Sequence, residues 1–467
     1  MKKLLALFFI GIIQFDIINL AATSSDYVCG QSISAAKFSS SLQDHSARNT
    51  ATNCSVAECP SSSADDNSCR ASSTPCFQYS LNNSSYVCGP AVDCSIFQAC
   101  DNVTHQCASN TSVCIVDTCC STRAVCLPLY TLDFCKPGDW SSVGNLIIAR
   151  YSHTASVVDD GKVLVAGGIT SSTSLQSVEL FDPLTETWTL INSMNMPRRL
   201  HTASTLPDGR ILVAGGFHSN TLASTEIYDP LTGNWTRTGD MNFPRYSHEA
   251  IVLSNGTVLV VGGTDGVASA HCEMYDPASG NWTVTGDLNN RRYGHTLSLL
   301  QNGSVLAVGG YDGSFLNSVE LFDPNVEVWT MVQSLNVSRR LHTASLLLNG
   351  SVLVVGGRGQ SDALSSCELF DIANGTWSLV GSLNNKRYGH TATVLPNGKV
   401  MATGGDDYTG NLTKTELYNP STGNWTIISN SDASRYSHTV SVLRSRKILI
   451  TGGQLNSSTA LSTTLLF

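Results

Sequence analysis

The sequence predicts an all-β protein whose main domain is a seven-bladed β-propeller. A pair of glycines recurs seven times at intervals of 47 or 48 residues. A tryptophan recurs with the same period, and a fixed period near 50 is typical of a propeller array. The pairs are Gly167 and Gly168, Gly215 and Gly216, Gly262 and Gly263, Gly309 and Gly310, Gly356 and Gly357, Gly404 and Gly405, and Gly452 and Gly453.

Each repeat divides into four short strands, as its first copy shows. Residues 153–158 are dominated by small and β-branched side chains, which suits an inner strand crowded around a central axis. Residues 163–168 are apolar on both faces, as expected for a strand covered by a blade on each side, and their glycines allow a turn. Residues 179–183 form the third strand, which ends at a proline, and Trp188 marks the outermost fourth strand.

The tryptophans predict how the ring closes. Six of them end a repeat, namely Trp188, Trp235, Trp282, Trp329, Trp377 and Trp425. The seventh repeat stops at Phe467, after its third strand, and Trp140 lies 48 residues before Trp188. We therefore expect the segment around Trp140 to pair beside residues 465–467. A ring closed by both ends of a domain spanning 138–467 has no open sheet edge.

The start of the chain predicts export. Lys2 and Lys3 precede ten apolar residues, a run too short to span a bilayer, and Ala21 and Ala22 offer small residues for cleavage. We interpret residues 1–22 as a signal peptide. No later stretch approaches eighteen apolar residues, so we expect a secreted, extracellular protein with no membrane span.

Residues 23–135 predict a disulfide-stapled region. They hold fourteen cysteines, an even number, behind a predicted signal peptide. A zinc site around Cys114, Cys119 and Cys120 is less favoured, because no Cys-x-x-Cys pair occurs. Cys272 and Cys367, in repeats three and five, are too far apart to bridge and should be buried free thiols. The fourteen are Cys29, Cys54, Cys59, Cys69, Cys76, Cys88, Cys94, Cys100, Cys107, Cys114, Cys119, Cys120, Cys126 and Cys135.

Residues 139–467, about seventy per cent of the chain, resemble kelch-repeat proteins. The residues that carry the resemblance are the double glycines, the tryptophans and an aromatic residue after each repeated glutamate. Those aromatic residues are Phe181, Tyr228, Tyr275, Phe322, Phe370 and Tyr418. The resemblance implies a kelch-type β-propeller that presents loops to protein partners, although this fold also carries enzymes. The cysteine-rich region resembles no family that we recognise.

An arginine, a histidine and a glutamate recur once per repeat. We interpret the arginine and the glutamate as an internal ion pair that fixes strand order. The alternative is an Arg/His ring that faces the channel and binds an anion. Leu465 replaces the glutamate in the seventh repeat, so this joint should be the weakest. The arginines are Arg150, Arg198, Arg245, Arg292, Arg339, Arg387 and Arg435, and the glutamates are Glu179, Glu226, Glu273, Glu320, Glu368 and Glu416. The histidines are His153, His201, His248, His295, His342, His390 and His438.

Enzyme function is the main alternative to partner binding, because galactose oxidase has a similar propeller. That resemblance would imply copper held by tyrosines and histidines, with one tyrosine cross-linked to a cysteine. The Arg-Tyr-x-His motifs instead repeat around the ring, whereas a catalytic centre needs an asymmetric set of groups. We therefore predict no catalytic activity, no cofactor and no metal. A glycan-binding module, with Tyr311 and Tyr408 as stacking platforms, also stays open.

The loops predict which face binds a partner. Turns between strands one and two and between strands three and four are short and alike, whereas the other connections vary. We call these the uniform face and the variable face. An extracellular protein or glycoprotein should dock on the variable face, while a net charge of -9 argues against nucleic acid. The expected contact residues are Phe217, Tyr311, Phe315, Arg358 and Tyr408, whose types anchor interfaces.

Glycosylation sequons support the same choice of face. Ten occur in the propeller, and seven of them fall on the uniform face. Those seven are Asn234, Asn255, Asn281, Asn302, Asn349, Asn374 and Asn424. Asn336, Asn411 and Asn456 belong to the variable face, so we expect that face to be the less crowded by glycans.

Overall fold

The computed structural model describes residues 140–410, 412–430, 434–456 and 459–467, and eight short strands between residues 39 and 128. The chain divides into two units, 1–137 and 138–467. The predicted signal peptide (1–22), the cysteine side chains of 23–135, and Gly138 and Asp139 lie outside the described residues. Among the described residues, no helix is long and apolar enough to cross a membrane.

Within the described strands, the first unit contains two small antiparallel sheets. One has the strands Ser39–Ser40, Ala47–Asn49 and Cys54–Val56. The other has, in spatial order, Tyr86–Pro90, Cys76–Leu81, Ser112–Val116, Val125–Pro128 and Gln98–Ala99.

The second unit consists of seven four-stranded antiparallel sheets, which we number as blades 1 to 7 along the chain. The predicted all-β, seven-bladed propeller is confirmed. Blade 1 has strands Thr154–Val157, Val163–Ala166, Val178–Asp182 and Thr187–Ile191. Blade 2 has Thr202–Thr205, Ile211–Ala214, Thr225–Asp229 and Asn234–Arg237. Blade 3 has Glu249–Val252, Val258–Val261, Cys272–Asp276 and Asn281–Val284. Blade 4 has Thr296–Leu299, Val305–Val308, Val319–Asp323 and Val328–Val332.

The remaining blades continue the same pattern. Blade 5 has Thr343–Leu346, Val352–Val355, Cys367–Asp371 and Thr376–Val380. Blade 6 has Thr391–Val394, Val400–Thr403, Lys414–Asn419 and Asn424–Asn430. Blade 7 has Thr439–Val442, Ile448–Thr451, Thr464–Leu466 and Ser141–Ser142. A two-stranded hairpin, Gln454–Asn456 with Thr459–Ala460, extends from blade 7.

The hydrophobic core is distributed between the blades. Every residue of the second strand in each blade is buried, as its two apolar faces predict. Between blades 1 and 2, Val178 of one blade packs in a single cluster with Ile211 and Trp235 of the next. Each closing tryptophan also tilts against the aromatic residue of its third strand, as in the 5.1 Å contact between the ring centroids of Phe181 and Trp188. Because each blade covers its neighbour, the ring is the stable unit.

The glycine pairs lie where two backbones approach closely. Gly167 and Gly168 have φ angles of 63° and 93°. A Cβ on Gly167 would lie 2.6 Å from the carbonyl oxygen of Arg198, in the loop that enters the next blade. Only glycine fits such a contact with a positive φ, so the repeated pair fixes the join between blades.

Both ends of the second unit build blade 7. Leu465 pairs with Ser142, and Leu466 pairs with Ser141. Trp140, which is 7% exposed, packs against the final residue with 5.0 Å between ring centroids. The predicted closure by the segment around Trp140 is confirmed, although the pairing strand itself is only two residues long.

Candidate functional site

A buried ion pair inside each of blades 1 to 6 accounts for the repeated arginine and glutamate. Arg150 Nη2 donates to Glu179 Oε1 at 2.7 Å, and both side chains are fully buried. The carboxylate also accepts the backbone N–H groups of Ile147 and Ile148, which ties the entering loop to the third strand. The equivalent pairs are Arg198–Glu226, Arg245–Glu273, Arg292–Glu320, Arg339–Glu368 and Arg387–Glu416. The predicted internal ion pair is therefore confirmed.

Blade 7 uses a hydroxyl at the corresponding place. Leu465 takes the glutamate position and is 3% exposed. Arg435 donates through Nη2 to Thr463 Oγ1 at 2.8 Å and through Nη1 to the carbonyl of Gly452 at 2.8 Å. Burial lowers the pKa of Arg435 to about 10. The lower stability of this joint stays a prediction.

A second polar ring links neighbouring blades around the axis. His201 Nε2 lies 3.0 Å from Oγ1 of Thr154, the first residue of the innermost strand in the preceding blade. The same contact, at 2.8 to 3.0 Å, joins His248 to Thr202, His342 to Thr296, His390 to Thr343, His438 to Thr391 and His153 to Thr439.

The imidazoles of this ring carry no charge at pH 7. All seven are at most 6% exposed. Burial, reinforced by the nearby Arg150, lowers the pKa of His153 to about 3, and the other six are lowered mainly by burial. The arginines are enclosed within the blades. An anion in the channel would need exposed cations to bind it. The repeated arginines and histidines provide none, which argues against the alternative of an anion-binding Arg/His ring.

Blade 3 departs from the histidine–threonine ring. Glu249 occupies the threonine position, is half-buried, and has its pKa raised to about 7 by burial. His295 of blade 4 is 2% exposed, and neither of its ring nitrogens has a hydrogen-bond partner. Our sequence analysis treated the first strands as uniform and missed this departure. The sequence does show this difference, because residues 248–249 are His-Glu where the other repeats have His-Thr.

A ring of seven backbone hydrogen bonds frames the channel on the variable face. In each blade the residue before the repeated histidine has a positive φ and donates its N–H to the carbonyl of its counterpart in the preceding blade, at 2.9 to 3.4 Å. The residues are Ser152, Leu200, Ser247, Gly294, Leu341, Gly389 and Ser437. This continuous ring gives the surrounding loops a fixed base.

The structure places three of the five predicted contact residues at one repeated position on this frame. Phe217, Tyr311 and Arg358 each follow a glycine pair. They form isolated β-bridges with Arg199, Tyr293 and Arg340 of the entering loops, in the same order. The partners in these bridges were missed, although they stand one residue after the repeated arginine in every repeat.

Arg340 lies at the centre of an aromatic cluster between blades 4 and 5. Its guanidinium carbon is 4.5 Å from the ring centroid of Tyr311, 5.4 Å from that of Phe315 and 5.7 Å from that of Tyr293. Arg340 Nη1 also donates to the Tyr293 hydroxyl at 3.2 Å. Cation–π contacts of this kind hold the guanidinium in place, so two predicted contact residues form a platform for an arginine that we did not predict.

Arg358 extends this cluster toward blade 6. Its backbone exchanges two hydrogen bonds with Arg340, at 2.7 and 3.0 Å. Its guanidinium carbon is 5.3 Å from the ring centroid of Tyr408, which tilts against Tyr388. Neither arginine forms an ion pair within the described part of the chain, and the Nε atom of each is buried without a partner. We call the continuous set Tyr293, Tyr311, Phe315, Arg340, Arg358 and Tyr408 the Arg/Tyr arc.

Phe217 belongs to a separate cluster. Its ring lies under the guanidinium of Arg199, 4.9 Å from the guanidinium carbon, and meets Tyr246 edge to face at 5.4 Å between centroids. No ring contact joins it to the Arg/Tyr arc among the described residues. The structure thus brings four predicted contact residues together and leaves Phe217 in its own group between blades 2 and 3.

The sequons differ between the faces in the freedom of their side chains. All seven asparagines of the uniform face are exposed. On the variable face, Asn336 Nδ2 donates to the buried Glu368 at 2.9 Å, so this amide already has a structural role. The sequon at Asn411 and the side chain of Asn456 lie outside the described residues.

The two described cysteines and the seven ring histidines do not fit a copper site of the galactose oxidase type. Cys272 and Cys367 are buried free thiols, as predicted. Burial raises the pKa of Cys272 to about 12 and that of Cys367 to about 11. Six of the seven ring histidines direct Nε2 to a threonine hydroxyl. Within the described residues, no group of three or more His, Cys, Asp or Glu side chains is placed to hold a metal.

The chain is similar to known propeller proteins. A solved fungal alcohol oxidase of the AA5 family, in complex with copper, superposes with a TM-score of 0.61, covering 71% of this chain and 76% of that chain. At 20% identity this likeness shows the fold alone. Two F-box/kelch-repeat proteins of Arabidopsis thaliana are 43% and 42% identical over 53 residues, or 11% of this chain. The chain spans only 14% and 20% of their lengths.

A family model supplies the wider match. Residues 109–303 and 247–453 match the kelch-repeats domain described for KLHDC2, KLHL20 and DRC7. The match covers most of the chain and includes the repeated landmarks whose packing is described above. The chain therefore belongs to the kelch-repeat family.

Proposed function

We propose that this protein is a secreted, non-catalytic interaction protein that binds an extracellular protein or glycoprotein through its variable face. Kelch propellers are interaction modules, which supports the broad assignment. The choice of face is supported by the diversity of its loops and by the exposed sequons crowded onto the opposite face.

The Arg/Tyr arc is the observation that carries this proposal. Arg340 and Arg358 are held against aromatic rings with no carboxylate paired to them in the described residues. An arginine fixed in this way loses little side-chain entropy when it forms a bidentate contact with a carboxylate. Arginine and tyrosine are also the residue types that dominate binding energy at interfaces. The arc therefore suits an acidic side chain of a protein partner.

A glycan ligand receives less support from the same geometry. Tyr408 is 47% exposed and offers one face for stacking. Tyr311 is only half-exposed, and Arg340 covers it. One partly exposed ring, which Arg358 and Tyr388 also contact, does not make the paired platform that we considered from the sequence, so a protein ligand is the better fit.

The test compares two surfaces of the same chain. A partner captured from extracellular material is purified and titrated against the wild-type chain, an Arg340→Ala/Arg358→Ala variant and a Leu231→Ala control. Leu231 is 97% exposed in a turn of the uniform face. We expect the double variant to weaken binding by about 2 kcal/mol or more, as loss of an interface anchor does, and the control to bind as the wild type does.

Three results decide between the alternatives. Equal binding by both variants, with unchanged thermal melting, would reject the Arg/Tyr arc as the docking site. Loss of binding only after the partner is deglycosylated would favour a glycan ligand. Hydrogen peroxide release from alcohols by the copper-loaded chain, abolished by substitution of its own residues, would replace the non-catalytic proposal with an oxidase.

A further inference from the structure

The turn between the first two strands of blade 7 departs from the other six turns of this kind. In blades 1 to 6 its third residue is a glycine with a φ angle between 79° and 88°. In blade 7 that residue is Arg446, with a φ angle of 68°. Its N–H still donates to the carbonyl of Leu443 at 2.8 Å, the bond that Gly161 forms with Val158 in blade 1. A residue with a Cβ is strained at such an angle, so the arginine is present at a cost to the turn.

Residues 444–447, which we call the basic turn, carry three positive charges within four residues. The sequence is Arg-Ser-Arg-Lys, and all four residues are exposed. In the equivalent turn of blade 1, Lys162 is neutralised by Asp160 at 2.7 Å, and in blade 2, Arg210 is neutralised by Asp208 at 2.6 Å. The basic turn contains no acidic residue, and no ion pair in the described part of the chain includes it. The three charges are therefore open to an anionic ligand, although the whole chain has a net charge of -9.

Arg444 extends this cationic surface across the joint between blades 7 and 1. Its Nη2 donates to the backbone carbonyl of Asp159. Its Cδ would lie 3.2 Å from a Cβ built on Gly161, so the arginine stem lies against the blade 1 turn. A carbonyl acceptor orients the guanidinium but does not cancel its charge. The arginine is thus held in place and still available to an anion.

The shape of this surface favours a long anion over a small one. The cations stand on an exposed turn, and clustered Lys and Arg residues of this kind bind polyanions through their summed field. Guanidinium groups also bind the oxygens of tetrahedral oxyanions with several N–H donors at once. All seven uniform-face sequons lie in blades 2 to 6, whereas the turns of blades 7 and 1 contain none. Glycans, which we expect there, would keep a flat membrane away from this face and leave a narrow chain free to reach the basic turn.

We propose that the basic turn binds a sulfated polysaccharide. Sulfate groups of the chain lie against the guanidinium groups of Arg444 and Arg446 and the ammonium group of Lys447. The contact releases counterions and therefore weakens as salt is added. The basic turn belongs to the uniform face and the Arg/Tyr arc to the variable face. This binding is thus independent of the proposed partner binding, and each proposal can fail without the other.

The first test titrates the full chain with heparin, a sulfated polysaccharide, at several salt concentrations. Arg444→Pro/Ser445→Asn/Arg446→Gly gives blade 7 the turn sequence of blade 6, residues 396–399, so this variant should fold at least as well as the wild type. It lacks two cations. We expect it to bind heparin about tenfold more weakly or worse, with the slope of log affinity against log salt smaller by about 1 to 2. Heparin bound elsewhere, including at the cysteine-rich region, is common to both chains.

The single variant Arg446→Gly separates ligand binding from a structural role. Glycine relieves the positive φ, so this variant should melt at a higher temperature than the wild type and yet bind heparin more weakly. An arginine that served only the fold would give lower melting and unchanged binding. That result would overturn the proposal.

A matched control removes the same charge from another blade. Arg210 and Arg237 of blade 2 each pair with an aspartate, and Arg210→Gln/Arg237→Gln should bind heparin as the wild type does. Equal weakening by this control, or unchanged binding by the variant with the blade 6 turn, would overturn the proposal. Equal affinity for desulfated heparin or for polyglutamate would replace the sulfated polysaccharide with an acidic peptide. Binding to phosphatidylserine vesicles but not to heparin would replace it with a membrane.

Discussion

Closure of the ring by Trp140 makes the sharpest prediction about stability. This side chain fills a space between blades 6 and 7 and is 7% exposed. Its Nε1 donates to Thr415 Oγ1 at 3.1 Å, and its ring contacts Phe467. The apolar residues in the same cluster are Leu395, Met401, Leu417, Ile448, Ile450 and Leu465. Trp140→Ala should therefore cost about 3 to 5 kcal/mol, the range for a large aromatic residue removed from a core.

A matched tryptophan separates loss of packing from loss of closure. Trp329 of blade 4 is 4% exposed and contacts Phe322 in the same way, with 5.0 Å between centroids. Trp329→Ala should lower the free energy of unfolding by a similar amount. Only Trp140→Ala should loosen the neighbouring pairing and speed amide hydrogen exchange in Thr464–Leu466, because that strand pairs with Ser141–Ser142.

Two truncations extend the test. A secreted chain that begins at Gly138 should keep the ring, whereas one that begins at Ile147 lacks the closing strand and leaves Thr464–Leu466 as an open apolar edge. Such an edge is an aggregation site, so the shorter chain should melt at lower temperature and be secreted poorly. Equal melting of the two truncations, or unchanged exchange in Trp140→Ala, would show that the ring closes in another way.

Three further predictions follow from the polar groups. The pKa values of the buried histidines are lowered from 6.5, to about 3 for His153, so the folded state binds fewer protons than the unfolded state. The contribution of these imidazoles to stability is therefore fully present above pH 6.5. Below that pH, the free energy of unfolding falls by up to about 1.4 kcal/mol per pH unit for each imidazole. Circular dichroism melts should show a steep loss between pH 6.5 and 5, and a flat profile would contradict this. Glu320→Ala, which leaves Arg292 buried and unpaired, should cost about 3 to 5 kcal/mol, while Asp160→Ala at an exposed pair should cost at most about 1 kcal/mol. Glycopeptide mapping should find Asn336 unmodified and the uniform face occupied, because the Asn336 amide is bonded to Glu368.

The sequence predicted the features that repeat within one blade. The glycine pair, the closing tryptophan and the Arg–Glu pair recur at a fixed period, and each acts inside a blade or at the join to the next. Trp140 could be assigned to blade 7 because it stands one period before Trp188. Periodicity was sufficient in these cases because the same contact is made several times.

The features that sequence analysis missed depend on two different blades meeting. The stacking of Arg340 on Tyr311 requires that the loop entering blade 5 crosses the loop of blade 4. The contact of His201 with Thr154 joins residues 47 positions apart around the axis. Each of these residues has a regular place in its own repeat, but nothing within that repeat shows which residue of the neighbouring blade it contacts. Only the arrangement of blades in space brings them together.

In a repeat protein, a contact made in every blade serves to hold the ring together, whereas a contact made in one blade need not have that role. A residue that recurs seven times, such as the histidine of the inner ring, is explained by the joint it holds, and a ligand site at that position would also have to recur. Glu249 breaks a joint that threonine holds six times, and Arg340 stands at a position that is tyrosine in five of the seven repeats. Such departures do not stabilise the ring, because the repeated residue already makes the contact that joins neighbouring blades. The search for ligands should therefore begin at the positions where a blade differs from its neighbours at a cost to its own contacts.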